Sequence, residues 1–176
     1  MHRRVIYLFP TELEAAPFRR LCPNAEVVIS GVGMAATSAA IASLYAADSA
    51  LCDARILLAG LAGSYGDCCA KGEVVEVRSE ICSELPERFR RAYHNRCCTT
   101  LRSVSSNTVH CGCESLGAEI ENMEGAALFA AAESLGLRVA EIRAISNRVG
   151  EPFAEWRVEE ALEALAEVLS NIEKEL

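Results

Sequence analysis

Cations are scarce in this sequence, aromatics are scarcer, and no apolar run is long. Seventeen Lys and Arg face 25 Asp and Glu, for a formal net charge of −8. That balance argues against the basic face a nucleic-acid binder uses to follow phosphates. The one basic cluster, Arg88, Arg90, Arg91 and Arg96, is interleaved with Glu87 and His94 and reads as the solvated face of a helix over Glu84 to Ala92. No stretch approaches the ~20 apolar residues of a membrane span. The apolar run Val5 to Phe9 behind the basic start is too short for a secretory leader and is stopped by Pro10 and Glu12, so a cytoplasmic protein is expected. Polar low-complexity tracts, repeats and linkers are lacking too. With 51% apolar and 24% charged residues in 176, one compact domain over 1–176 follows, large enough to bury roughly 70% of its unfolded surface.

Disulfide spacing is also missing. Nine cysteines, Cys22, Cys52, Cys68, Cys69, Cys82, Cys97, Cys98, Cys111 and Cys113, are odd in number and match no framework, so reduced thiols are the expectation. His110-Cys111-Gly112-Cys113 could offer soft metal ligands, but no second C-x₂₋₄-C unit completes a tetrahedral site. No metal and no cofactor are expected.

What is present is an alternation of apolar runs and helical patterns. Val5 to Phe9, Glu26 to Ser30, Arg55 to Ala59, Glu73 to Arg78, Ser103 to Val109 and Arg138 to Ala144 read as strands. Glu12 to Arg20, Met34 to Ala47, Met123 to Leu135 and Val158 to Glu175 read as helices, the third stopped by Gly136. Strands alternating with helices predict a three-layer α/β/α sandwich on a central, mostly parallel mixed sheet, with ligands at the carboxyl ends of the strands.

Gly31-Val32-Gly33-Met34-Ala35-Ala36 fits the dinucleotide fingerprint G-x-G-x-x-A, with Asp53 about twenty residues on. The acid in that fold ends the second strand, whereas Asp53 precedes Arg55 to Ala59 and falls at the wrong end of the sheet. A dinucleotide site is therefore set aside.

Four pieces stand in order along the chain: Pro10-Thr11-Glu12-Leu13-Glu14, the glycine turns Gly31-Val32-Gly33 and Gly60-Leu61-Ala62-Gly63, the run ENMEGAA from Glu121, and IRAISNRVG from Ile142. Together they resemble the nucleoside phosphorylase and nucleosidase superfamily. ENMEGAA with IRAISNRVG is most similar to its futalosine hydrolase branch, which is related to the methylthioadenosine/S-adenosylhomocysteine nucleosidases. The resemblance implies an enzyme that cleaves the N-glycosidic bond of a purine nucleoside. Futalosine is the substrate to expect, with release of hypoxanthine in menaquinone biosynthesis and a homodimer as the assembly.

Residue by residue, the resemblance makes Glu14 the base that activates water, with Glu12 as its competitor; on the residues alone both are first-turn helix acids. It makes Glu124 the clamp on the ribose 2′- and 3′-hydroxyls, beside Asn122, with Met123 against the sugar face. Without the resemblance Glu124 reads as a helix N-terminal charge. Hydrogen bonds to the 2-hydroxyl matter because glycosidic cleavage passes through an oxocarbenium-like state in which they strengthen. Asn147 occupies the place of an aspartate that serves the leaving base in adenine-specific relatives. An amide cannot protonate the base, but its NH₂ can donate to O6 and its oxygen can accept from a protonated N7, which suits a 6-oxopurine. A 6-amino group would face that NH₂ donor to donor, at a cost of about 1–3 kcal/mol.

Gly33, Gly60, Ala62 and Gly63 would bring backbone N–H groups close to substrate, and Arg143 would orient the carboxylates or simply bridge the sheet. Family phosphorylases carry a phosphate-binding arginine where this chain has Leu58, so water is the expected nucleophile; Leu61 replaces a small hydroxyl residue. Relatives are longer by several tens of residues, and the shortfall falls at about 79–117, which normally supplies base-stacking aromatics. No residue there can be assigned to the base. A non-catalytic purine-binding relic of the same fold, and a methylthioadenosine/S-adenosylhomocysteine nucleosidase, stand as the alternatives.

Overall fold

The computed structural model describes residues 4–95, 101–109 and 114–175. Within them the order is β1 (Val5–Phe9), α1 (Glu12–Leu21), β2 (Glu26–Ile29), α2 (Met34–Ala47), β3 (Arg55–Ser64), β4 (Val74–Cys82), β5 (Tyr93–His94), β6 (Ser103–Thr108), β7 (Ile120–Asn122), α3 (Gly125–Leu135), β8 (Arg138–Arg148) and α4 (Val158–Lys174).

Successive side chains of a strand face opposite ways, and the continuous apolar runs of β1 and β3 accordingly feed two cores. Ile6, Leu8, Ile56 and Leu58 pack with Ile41 of α2 and with Leu128 and Phe129 of α3. Val5, Tyr7, Phe9, Leu57 and Ala59 pack on the other face with Phe18 of α1 and with Leu162, Leu165 and Leu169 of α4. Two cores on opposite faces of one sheet make the three layers. Fully burying side chains of this size contributes about 1.5–3 kcal/mol each.

β1 lies parallel between β2 and β3, and β8 runs parallel to β3. The far end of β3 takes β7 antiparallel, β6 joins β7 and β4 in parallel, and β4 returns antiparallel to β8. The sheet is thus mixed, as expected, and the pairings β3-β7-β6-β4-β8-β3 close into a circuit. Local pattern does not predict such closure, because partner choice depends on which faces become buried together.

Several boundaries differ from the sequence reading. β3 runs ten residues, so Gly60-Leu61-Ala62-Gly63 is strand and not turn, with a register shift between Ala62 and Gly63. β8 runs eleven residues and carries Asn147 within it. Both strands are held extended by partners on two sides, which overrides the weak β preference of Gly and Asn. β7 takes Ile120–Asn122, and α3 therefore begins at Gly125 rather than Met123. The helix expected over Glu84 to Ala92 is absent; a single 3₁₀ turn, Glu87–Phe89, follows Pro86, and no apolar stripe exists there for a helix to bury. Arg90 instead donates to the carbonyls of Leu85 and Ser83, and Arg91 pairs with Glu133. Arg96 and His110-Cys111-Gly112-Cys113 lie outside the described residues. No helix among the described residues is long and apolar enough to cross a membrane.

The register also disposes of the dinucleotide reading. Gly31 follows β2 just past the Phe9–Ile29 pair, whereas Asp53 precedes the Val5–Arg55 pair. The glycines and the acid sit at opposite ends of the sheet.

Candidate active site

Thr11-Glu12-Leu13-Glu14 has the spacing of a capping box, and Thr11 does cap α1: its hydroxyl oxygen accepts from the Glu14 N–H at 3.2 Å. The Glu14 carboxylate does not fold back on the helix. Its Oε1 accepts from the Leu61 N–H at 3.0 Å and its Oε2 from the Thr11 hydroxyl at 2.7 Å. That reach requires Gly60. A Cβ there would lie 2.8 Å from Glu14 Oε1 and 2.8 Å from Arg143 Nη1, so only glycine lets both side chains approach β3. Glu12 points away, exposed and paired with Arg19.

Glu124 is the N-cap residue of α3 yet leaves the capping to others. Asn122 Oδ1 accepts from the Glu124 and Gly125 N–H groups at 2.8 and 2.7 Å, and Thr108 Oγ1 accepts from the Ala126 N–H at 2.7 Å. The Glu124 carboxylate is thereby free to cross to α2, where Gly33 donates its N–H at 2.9 Å, while Arg143 Nη2 donates at 3.1 Å. Gly33 starts α2 at φ 88°, a left-handed conformation that favours glycine and aims this N–H at the carboxylate.

Arg143 is wholly buried and ties the arrangement together. It donates to Glu141 at 2.7 Å, to Asn122 Oδ1 at 3.0 Å, to Glu124 and to the Leu61 carbonyl. Burial works against its charge, but the carboxylates of Glu141, Glu124 and Glu14 outweigh burial and hold the guanidinium protonated. Beneath the floor lies a second acid, Glu80 of β4, which accepts from Thr108 and Asn122. Burial, and then the charge of Glu141, push the Glu80 carboxyl well above the ordinary range; Glu141 is raised by burial against the opposing pull of Arg143. A Cβ at Gly125 would collide with the carboxyl oxygens of both acids, which is why α3 opens on glycine.

Above this network opens a cavity of about 570 Å³, within the range of small-ligand pockets. Glu14, Asn122, Met123, Glu124, Ala62, Gly63 and Asn147 line it; Gly33, Gly60 and Arg143 stand behind the wall and hold it. No Lys or Arg is among the described residues that line it. Asn147 is buried, its Nδ2 donating to the Arg148 carbonyl at 3.0 Å and its Oδ1 accepting from the Ser146 hydroxyl at 2.8 Å.

Sequence reasoning gave no role to several wall residues, four of which matter most here. Val109 comes from the end of the short middle segment, Phe153 and Trp156 from the turn before α4, and Glu121 from β7. Phe153 and Trp156 meet in a tilted ring contact at 5.2 Å between centroids. Two aromatics three apart after a Pro were a readable signal, but nothing local says that this turn folds back over the cavity. Glu121 is half-buried and accepts from the Tyr65 hydroxyl at 2.9 Å; burial raises its carboxyl against that hydrogen bond.

The family model described as the phosphorylase superfamily matches residues 76–175. Futalosine hydrolase of Thermus thermophilus is 33% identical over 217 residues, covering 95% of this chain and 94% of the relative. Among solved structures, 5′-methylthioadenosine/S-adenosylhomocysteine nucleosidase of Helicobacter pylori with butyl-thio-DADMe-Immucillin-A is similar at a TM-score of 0.83 and 14% identity, over 100% of both chains. A futalosine hydrolase mutant of Helicobacter pylori strain 26695 follows at a TM-score of 0.82 and 14% identity, over 99% of this chain and 100% of that one. At these identities the structural likeness speaks for the fold alone.

Proposed function

The chain belongs to the phosphorylase superfamily, and from that premise we propose that it hydrolyses the N-glycosidic bond of a purine nucleoside, with futalosine as the preferred substrate. The observation that carries the reading is the 33% identity to a futalosine hydrolase along 95% of the chain. The cavity is consistent with it. Three carboxylates, Glu14, Glu121 and Glu124, and no cation line the described wall, an environment that repels phosphate and admits water. Arg143 is already engaged by Glu141, Glu124 and Asn122, and Leu58 is buried in the core, so neither offers phosphate a partner.

In this reading the base leaves with the C1′–N9 bonding electrons and gains its proton from solvent, while Glu14 takes a proton from water and the resulting hydroxide adds to C1′. Glu124, fixed by Gly33 and Arg143, holds the ribose hydroxyls as positive charge develops on the sugar. Met123 packs on the sugar face, and Asn147 supports the departing base. The Glu14 side chain is preorganised by the Leu61 N–H, which costs no rearrangement at the moment of reaction. A homodimer belongs to the same proposal. Leu13, Val32 and Phe153, at the cavity rim, are 67%, 52% and 74% exposed, an apolar rim that a second copy would cover; sedimentation velocity tests it.

The deciding experiment is base release from futalosine, inosine and methylthioadenosine in phosphate-free buffer. Hypoxanthine release, fastest from futalosine, is the expected result. Dependence on phosphate would overturn hydrolysis, and release from methylthioadenosine alone would overturn the 6-oxopurine preference. Thermal stabilisation by hypoxanthine without any turnover would favour the binding-protein alternative.

A further inference from the structure

Glu121 is the one carboxyl of the cavity wall to which the chemistry above gives no part. Its position is set by register. Glu121 of β7 pairs with Gly63 of β3, and Gly63 pairs with Asn147 of β8. The three stand in one row across adjacent strands, where paired residues present their side chains to the same face. Gly63, in the middle, presents none. A Cβ at that position would meet Asn147 Nδ2 at 3.1 Å, Val149 Cγ2 at 3.3 Å and Glu121 Cγ at 3.5 Å. Asn147 and Glu121 thus flank the space the glycine leaves, with Val149 beside them, and form one edge of the cavity that both line.

That edge is braced from one side. Asn107 Nδ2 donates to the Tyr65 hydroxyl oxygen at 3.1 Å, and the Tyr65 hydroxyl donates to Glu121 Oε2 at 2.9 Å. Among the described residues no other group hydrogen-bonds to Glu121, and the residue lines the cavity.

The geometry points to Glu121 as a specificity-determining residue: its carboxylate accepts the N1–H of a 6-oxopurine while Asn147 donates to the neighbouring O6. This rests on the nucleosidase reading for the ligand class. A 6-oxopurine carries a donor at N1 beside an acceptor at C6, and the wall offers an acceptor beside a donor. A 6-aminopurine reverses both, so its N1 lone pair faces a carboxylate and its amino group faces an amide NH₂. Sites built to hydrogen-bond a polar group reject the mismatched analogue strongly. Two adjacent mismatches correspond to discrimination of at least ~100-fold.

The test is calorimetric binding of hypoxanthine, 1-methylhypoxanthine and adenine to the parent chain and to Glu121→Gln. The parent is expected to bind hypoxanthine at least ~100-fold more tightly than adenine and ~10-fold or more over 1-methylhypoxanthine, which lacks the N1–H. Glu121→Gln, whose amide can donate to the N1 of adenine, should narrow the hypoxanthine-to-adenine ratio to ~10-fold or less. An unchanged ratio in the variant would overturn the assignment. Equal binding of hypoxanthine and 1-methylhypoxanthine by the parent would do so without any variant, should Glu121→Gln fail to fold. Base selectivity that collapses in the variant, in a chain that turns over no nucleoside, would sink the hydrolase reading and leave this one standing. Turnover with unchanged selectivity would do the reverse.

Discussion

Around Gly60, each cavity acid is held twice, with at least one partner from a distant part of the chain: Glu14 by Thr11 and Leu61, Glu124 by Gly33 and Arg143. Three residues further along β3, about 10 Å at strand rise, the groups around Gly63 are held lightly. Among the described residues Asn147 bonds only to Ser146 and Arg148 and Glu121 only to Tyr65, and Phe153 of the same cavity wall is largely exposed. One side is a buried, interlocked network in which any loss strands a charge. The other is a wall of separate contacts, each replaceable without disturbing the next. Chemistry that must not drift benefits from the first kind of construction, and the base selectivity proposed above would rest on the second.

The contrast can be broken at its strongest point first. Arg143→Met should destabilise the fold by about 3–5 kcal/mol, since it leaves Glu141 and Glu124 buried without their cation. Tyr65→Phe, which removes a bond on the lighter side, should cost about 1 kcal/mol or less. Urea unfolding of the two variants measures the difference, and similar losses would erase the distinction.

Next in size is Glu14→Gln, with a loss of at least ~100-fold in kcat, about 2.7 kcal/mol in the barrier. Its melting temperature should stay near the parent's, because the glutamine oxygen can still accept from Leu61. A kcat within tenfold of the parent would take the general-base role away from Glu14.

Glu80→Gln probes the floor through pH. Glu80 retains a proton in the folded chain that an unfolded carboxyl releases above about pH 4.3. The folded state then binds more protons, so the stability contributed is fully present below that pH and is lost as pH rises toward the raised folded-state value. A neutral glutamine removes this loss, and the urea midpoint of Glu80→Gln should fall less than the parent's between about pH 5 and pH 8. Parallel curves would mean that Glu80 is ionised in the folded chain.

The smallest effect is expected from Phe153→Ala at the exposed rim. KM should rise by less than ~10-fold, with kcat and melting temperature unchanged, because a largely exposed ring contributes little apolar burial. A large fall in kcat would show that the lighter side takes part in the chemistry.

Much of this was readable in one dimension, and particular residues show why. Val5 to Phe9 could be read as a buried strand because an apolar run of that length has few other uses. Gly33 could be placed at a helix start from the glycines and alanines around it. Glu14, Glu124 and Asn147 were marked by family motifs, and the structure places all three at one cavity. Gly60 and Gly63 were misread as a turn, since a strand that is paired on both edges tolerates glycine where an isolated segment would not. Glu121 stands inside the motif ENMEGAA, but its meaning depends on a register spanning three strands.

The order of elements from β1 to β4 and from α3 to α4, the two apolar faces and the identities of the acids and amide follow from the sequence alone, being consequences of local periodicity and residue chemistry. Only the tertiary structure decided that the sheet closes through β8, that Arg143 sits among Glu141, Glu124 and Asn122, and that Gly63 stands in register between Glu121 and Asn147. Those outcomes depend on contacts between residues tens of positions apart, whose energies are settled when faces are buried together and not by neighbours along the chain.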